Sequence, residues 1–259
     1  MISRASNIFS SPCSLLAACA LAILAVSPSM ADITFAQYDQ FNGAAQQWSI
    51  ATSGDLTTVT ASGTAEFTFS GVSGLPFSGP ELANFSLSAT SSQLGSCGDV
   101  NCPNGDSYTQ PGYIGTFSFI DAGSGANLLS GTFAVTSKPA STGAQLGSSV
   151  GGTGGQFNAS SSADNLAQLV LTSAYLDFAG QTEETASWSL SSLSPAFAVS
   201  TPSGTQAYPA AGTFVAAGAG TFSSTSAPAV APEPATFALL GGALLALGLM
   251  HRRKSLLAR

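Results

Sequence analysis

Between Asp32 and Val230 the chain has no histidine, no arginine and no methionine, and Lys138 is its only basic residue. Each absence removes a class of function. Without imidazole no serine or cysteine nucleophile has its usual general base. Zinc sites draw on Cys and His, and this stretch holds only Cys97 and Cys102, so no metal site and no cofactor are expected. Nucleic acid is excluded as a partner, because binding it requires Lys and Arg to displace counterions. Twelve acidic residues, from Asp32 to Glu184, face the single lysine, which also disfavours adsorption to anionic lipid. Only 7% of the whole chain is charged. A surface of few charges with abundant Ser, Thr, Asn and Gln suits neutral, hydrated surroundings such as polysaccharide.

Aromatic residues, by contrast, are plentiful: fourteen Phe lie between Asp32 and Val230. About 200 residues of this kind bury a real core, so disorder is not expected despite the Gly and Ser content. From Val59 to Phe69 the odd positions are Val, Ala, Gly, Ala, Phe and Phe, and the even ones Thr, Ser, Thr, Glu and Thr. That alternation puts one face of a strand in a core and one in water. Ala83–Ala89, Gly115–Ile120, Gly131–Thr136, Leu169–Phe178, Ser187–Leu193 and Ala196–Ser200 repeat it. Turn clusters at 71–79, 121–127 and 143–155 separate them. Gly-Thr-Phe recurs at Gly115, Gly131, Gly212 and Gly220 with irregular spacing; the expected role is a Gly ending a turn before a Thr-Phe strand start. The fold class read here is all-β: an antiparallel β-sandwich or jelly-roll-like body. An outer-membrane barrel would also alternate, but it has no use for the C-terminal helix described next.

Both ends of the chain are apolar. At the N-terminus Arg4 precedes an apolar core from Leu15 to Val26 and a small-x-small site, Ser29-Met30-Ala31. These predict a signal helix cleaved after Ala31. Leu16-Ala17-Ala18-Cys19 also fits a lipobox, but the apolar run continues past Cys19. At the C-terminus, 235–250 has no charged residue and ends before Arg252, Arg253 and Lys254. Sixteen residues of helix span roughly 24 Å, enough for a single transmembrane helix with snorkelling flanks. The basic cluster places the C-terminus in the cytoplasm and everything before Pro232 outside. The domains expected are a signal peptide (1–31), a body (32–222), a Ser/Ala/Pro-rich stalk (223–231) and a sorting tail (232–259).

Pro232-Glu233-Pro234-Ala235-Thr236-Phe237, the Gly-rich apolar run and Arg252-Arg253-Lys254 together resemble the PEP-CTERM sorting domain of Gram-negative bacteria. The likeness covers only about the last 29 residues, and Ala235 stands where Ser is commoner in the family. The resemblance implies recognition by an exosortase, a membrane-embedded cysteine transpeptidase-like enzyme. It implies a precursor held transiently in the inner membrane, then release to the cell surface or extracellular matrix, commonly beside exopolysaccharide. It lends no fold or activity to the body.

Candidate sites within the body are few. Export makes a Cys97–Cys102 disulfide the expectation. The loop around it holds Asp99, Asn101, Asn104 and Asp106, but Pro103 and Asn104 break a calcium-loop pattern, so a polar turn is expected. Gly147-Ser148-Ser149-Val150-Gly151 matches the hydrolase string Gly-x-Ser-x-Gly without a base to serve it. Glu183 and Glu184, near Asp177, point to opposite faces if extended, so they do not form a glycosidase pair. Trp48, Trp188, Tyr38, Tyr108, Tyr113, Tyr175 and Tyr208 could stack on sugars, but such Trp residues more often fill cores. The function expected is therefore a non-enzymatic surface or matrix protein with a structural or adhesive role in an exopolysaccharide biofilm. A carbohydrate-binding module is the alternative: buried Trp48 and Trp188 count against it.

Overall fold

The computed structural model describes residues 32–41, 46–134, 144–161, 169–181, 183–200, 210–226 and 228–230. The expected signal peptide with Ala31, the expected transmembrane segment 235–250, the motif residues Pro232, Glu233, Pro234, Arg252, Arg253 and Lys254, and Lys138 and Tyr208 lie outside them. Among the described residues no helix is long and apolar enough to cross a membrane. The elements are strands: β1 (Ile33–Gln40), β2 (Trp48–Ser53), β3 (Leu56–Phe69), β4 (Glu81–Ser91), β5 (Ser96–Cys97), β6 (Ser107–Asp121), β7 (Asn127–Phe133) and β8 (Ala144–Ser149). They continue with β9 (Gly155–Ser160), β10 (Leu169–Thr172), β11 (Leu176–Asp177), β12 (Glu184–Ser194), β13 (Val199–Ser200), β14 (Ala210–Ala211), β15 (Phe214–Ser224) and β16 (Ala229–Val230).

The sheet closes on itself as an 8-strand barrel. Pairing runs β3–β4–β6–β8–β9–β12–β15, and β15 returns to β3 through β1 and β2. Several lanes are interrupted. β1 lies between Ala219–Ser224 of β15 and Ala65–Phe69 of β3, while β2 continues that lane beside Phe214–Ala216 and Leu56–Ala61. On β6, β7 takes Gly115–Ile120 and β8 takes Ser107–Tyr113. β9 then pairs with β8 and β10 with β7. Every one of these pairings is antiparallel.

The sandwich or jelly roll expected from the sequence is thus corrected to a closed barrel. Alternation reports which face of a strand is dry, and the inside of a barrel reads like the inner faces of a sandwich. Closure depends instead on fitting side-chain volumes around a narrow interior, where small residues must sit opposite large ones. Trp48, Trp188, Phe67, Phe119, Phe133 and Phe157 are fully buried there. Phe85 stacks on Phe119 with ring centroids 4.6 Å apart, and Phe117 meets Trp188 edge-on at 5.1 Å. Among the described residues the buried indole N–H of Trp188 has no hydrogen-bond partner.

Glycine supplies the matching space. A Cβ on Gly131 would lie 2.3 Å from the Phe117 ring, and one on Gly218 would lie 2.3 Å from Trp48 Nε1. This corrects the reading of three of the four Gly-Thr-Phe repeats; Gly212 does precede the start of β15 at Phe214. Gly115, Gly131 and Gly220 sit inside strands rather than at turn ends. Two copies face each other directly, with Gly115 opposite Phe133 and Phe117 opposite Gly131.

Along β4, Ala83, Phe85, Leu87 and Ala89 point inward and are buried, while Asn84, Ser86, Ser88 and Thr90 are exposed. The apolar face is therefore the inside, the reverse of a membrane-spanning barrel. Some strand boundaries also differ from expectation. β7 stops at Phe133, Leu169–Phe178 is broken into β10 and β11, and only Val199–Ser200 of Ala196–Ser200 is strand. The expected turn cluster 143–155 contains β8, whose Ala144 and Leu146 are buried. Of the segment expected as a stalk, Ser223 and Ser224 belong to β15, and Ala229–Val230 pairs with β11.

Candidate functional site

One end of the barrel is closed by a buried polar cluster. Gln110 Oε1 accepts hydrogen bonds from the hydroxyls of Tyr113 (2.9 Å) and Tyr108 (3.1 Å). Its Nε2 donates to Thr57 Oγ1 at 2.9 Å and to the Gln93 carbonyl at 2.8 Å. Thr57 in turn meets Thr52, whose hydroxyl donates to the Ala211 carbonyl. Both ends of the amide are fully used, which is the condition for a buried polar network to stabilise rather than cost. Burial pushes the phenols of Tyr108 and Tyr113 well above their ordinary range. This end is a seal.

The opposite end holds a cavity of about 500 Å³, between β10, β11 and the start of β12. Glu184 opens β12 and is buried, 7% exposed, whereas Glu183 is exposed. Its carboxylate Oε2 accepts from Leu171 N at 3.2 Å. Its backbone N donates to Ser161 Oγ at 2.8 Å, and its carbonyl accepts from Ser161 N at 2.8 Å. Burial is the main reason that the carboxyl is pushed up to about 7; the Leu171 N–H pulls the other way. Asp177 also lines the cavity, but its Oδ1 caps the following turn, accepting from Ala179 N at 2.8 Å.

Among the described residues there is no Lys, Arg or His to pair with the carboxylates. Three more of them, Asp121, Asp99 and Asp106, cap turns as Asp177 does. Asp121 accepts from both the hydroxyl and the backbone N of Ser124, which hold it below its usual range. Asp99 accepts from Asn101 N at 2.8 Å, and Asp106 accepts from Asp99 N at 2.7 Å and Ser107 N at 2.9 Å. Cys97 and Cys102 are disulfide-bonded across that same loop, with Cα atoms 5.4 Å apart. Its acidic oxygens are spent on backbone N–H groups, and no cluster of metal-ligating side chains occurs among the described residues.

The aromatic residues considered as sugar platforms lie mostly inside. Trp48, Trp188, Tyr38, Tyr108 and Tyr113 are buried. Tyr175 is half-buried and packs edge-on against Phe77 at 4.6 Å. Ser149 of the Gly-x-Ser-x-Gly string is exposed at the end of β8, with no imidazole among the described residues to activate it. What sequence reasoning missed was the Gln110 cluster and the inward Glu184. The sequence clue for Glu184 was available: it shares inward parity with Ala186 and Trp188 on β12.

The cavity end is also where the chain leaves the barrel. β15 ends at Ser224, opposite Glu184. Thr225 N donates to the Glu183 carbonyl at 3.3 Å. Ser226 Oγ and Gln181 Oε1 are 3.0 Å apart. β16 then pairs antiparallel with β11, Ala229 opposite Asp177 and Val230 opposite Leu176. From Val230 onward, residues 230–254 match the family model of the PEP-CTERM protein-sorting motif. The chain carries a PEP-CTERM sorting tail. The PEP-CTERM tail marks it as an exosortase substrate, a secreted precursor that passes through a membrane. The PEP-CTERM match touches the body only at Val230 and takes in none of the barrel. No curated protein and no solved structure matches the chain.

Proposed function

We propose that this chain is a non-enzymatic scaffold protein, delivered through the exosortase route to the cell surface or extracellular matrix. There it has a structural or adhesive role within exopolysaccharide. In this reading the precursor sits in the inner membrane by its helix at 235–250, C-terminus in the cytoplasm, until the tail is processed near Pro232-Glu233-Pro234. The observation that carries it is the sorting motif at 230–254, beginning six residues after the last strand of a barrel whose core is filled with aromatic rings. Supporting it, the described residues include no Lys, Arg or His, and Asp99, Asp106, Asp121 and Asp177 are engaged in capping turns. The outward strand faces are largely Ser, Thr and Asn, uncharged and hydrogen-bonding, and so suited to hydrated polysaccharide.

The test is fractionation of cells that produce the chain, with and without the exosortase. The reading expects matrix or surface protein in the first case and membrane-bound precursor in the second. Equal extracellular amounts in both would reject it. Extraction of the matrix with a polysaccharide-degrading enzyme addresses the finer claim: release of the protein supports it, and retention counts against it.

A further inference from the structure

We infer that β16 is a release strap: pairing of Ala229–Val230 with β11 holds the sorting motif against the barrel, and the strap must detach before processing. This rests on the exosortase reading above. The segment leading to the motif is bound to the body at successive points. Thr225 N donates to Glu183 O, Ser226 Oγ meets Gln181 Oε1, Pro228 is buried, and β16 pairs with Leu176–Asp177. Val230, the last paired residue, is also the first residue of the matched motif.

The consequence is a short leash. With β16 bound, four residues separate Val230 from Ala235, where the membrane helix is expected to begin, and the five Cα–Cα steps reach at most about 18 Å. Freed back to Ser224, ten residues intervene and the eleven steps reach about 36–40 Å. An enzyme embedded in the bilayer has to take the motif in extended form, and a closed barrel held within so short a leash stands in its way. β16 is a two-residue strand on a two-residue partner, so its opening is local and does not require the barrel to unfold. The strap also lies outside the ring of lanes that closes the barrel, which contains neither β11 nor β16.

The test follows loss of the C-terminal tail by pulse-chase of the full-length precursor in cells with the exosortase. Ala229→Pro combined with Gln181→Ala weakens the strap, and both changes lie outside residues 230–254. Processing should speed up by about tenfold, the population change that one or two backbone hydrogen bonds carry. Asp177→Cys with Ala229→Cys joins directly opposite residues and should slow processing, with the wild-type rate restored by reductant. The opposed directions guard against simple misfolding, which would not be reversed by reductant. Equal, non-zero rates in wild type and both variants would overturn the strap alone. If no tail is lost from any of them, the exosortase reading itself fails and the strap falls with it.

Discussion

Leu171 N donates a hydrogen bond to Glu184 Oε2 at 3.2 Å, linking β10 to the start of β12 where no backbone ladder joins them. A side chain thus does locally what strand pairing does elsewhere in the wall. The same carboxyl faces the cavity at the end where the sorting tail departs.

Because burial pushes Glu184 up to about 7, from an ordinary 4.5, it ties stability to pH. Between those values the folded chain keeps a proton that the unfolded chain has lost. Its contribution is full below about pH 4.5 and is lost as pH rises to about 7. Glu184→Gln mimics the protonated acid and keeps an oxygen for Leu171 N. Urea titrations at pH 4 and pH 8 should show a smaller fall for the variant. At pH 8 it should be more stable than wild type by about 1–3 kcal/mol, a range already reduced for solvent at the cavity. Parallel pH curves would show that Glu184 is not the titrating group.

Gln110→Leu should cost about 2–4 kcal/mol, since it removes one hydrogen-bond partner each from the buried Tyr108 and Tyr113 hydroxyls, from Thr57 and from the Gln93 carbonyl. Ser86→Ala is the contrast: its hydroxyl bonds Ser118 at 2.8 Å, but on the exposed face, and its loss should stay within about 0.5 kcal/mol. Chemical denaturation measures both. Equal effects would mean that burial of the Gln110 cluster contributes nothing.

Gly131→Ala and Gly218→Ala each add a methyl where an aromatic ring already sits. Overpacking of this kind costs about 1–3 kcal/mol, a fall in Tm of about 3–10 °C for a domain of this size. Near-ultraviolet circular dichroism should change for Gly218→Ala, where Trp48 must shift. Gly54→Ala has space but a φ of +61°, so its cost is conformational and should leave the Trp48 spectrum alone.

Replacing Cys97 and Cys102 together by Ser opens a small loop. The chain-entropy loss is about 2 kcal/mol, visible as a lower Tm that reductant no longer affects. A variant as stable as the oxidised wild type would mean that the turn caps on Asp99 and Asp106 already hold this loop.

The strands of β3, β4 and the middle of β12 were legible because long alternation survives there, as in Ala83-Asn84-Phe85-Ser86-Leu87. β8 was hidden because Gly147 and Ser148 carry turn chemistry while sitting in a strand. Barrel closure was not legible, since the pairing of β15 with β1 joins residues nearly two hundred positions apart, such as Ile33 and Ser224. Glu184 lies outside the expected strand Ser187–Leu193, yet its parity with Trp188 turns it inward. The sorting tail was the most legible part, because an order of short motifs needs no tertiary context.

The central claim is that this barrel is exported by way of its PEP-CTERM tail and loses that tail on the way. Intact-mass spectrometry of the extracellular protein tests it most directly. The account predicts a mass ending at or near Pro232-Glu233-Pro234, without Arg252 to Arg259. An extracellular protein that still carries Arg252 to Arg259 would contradict it.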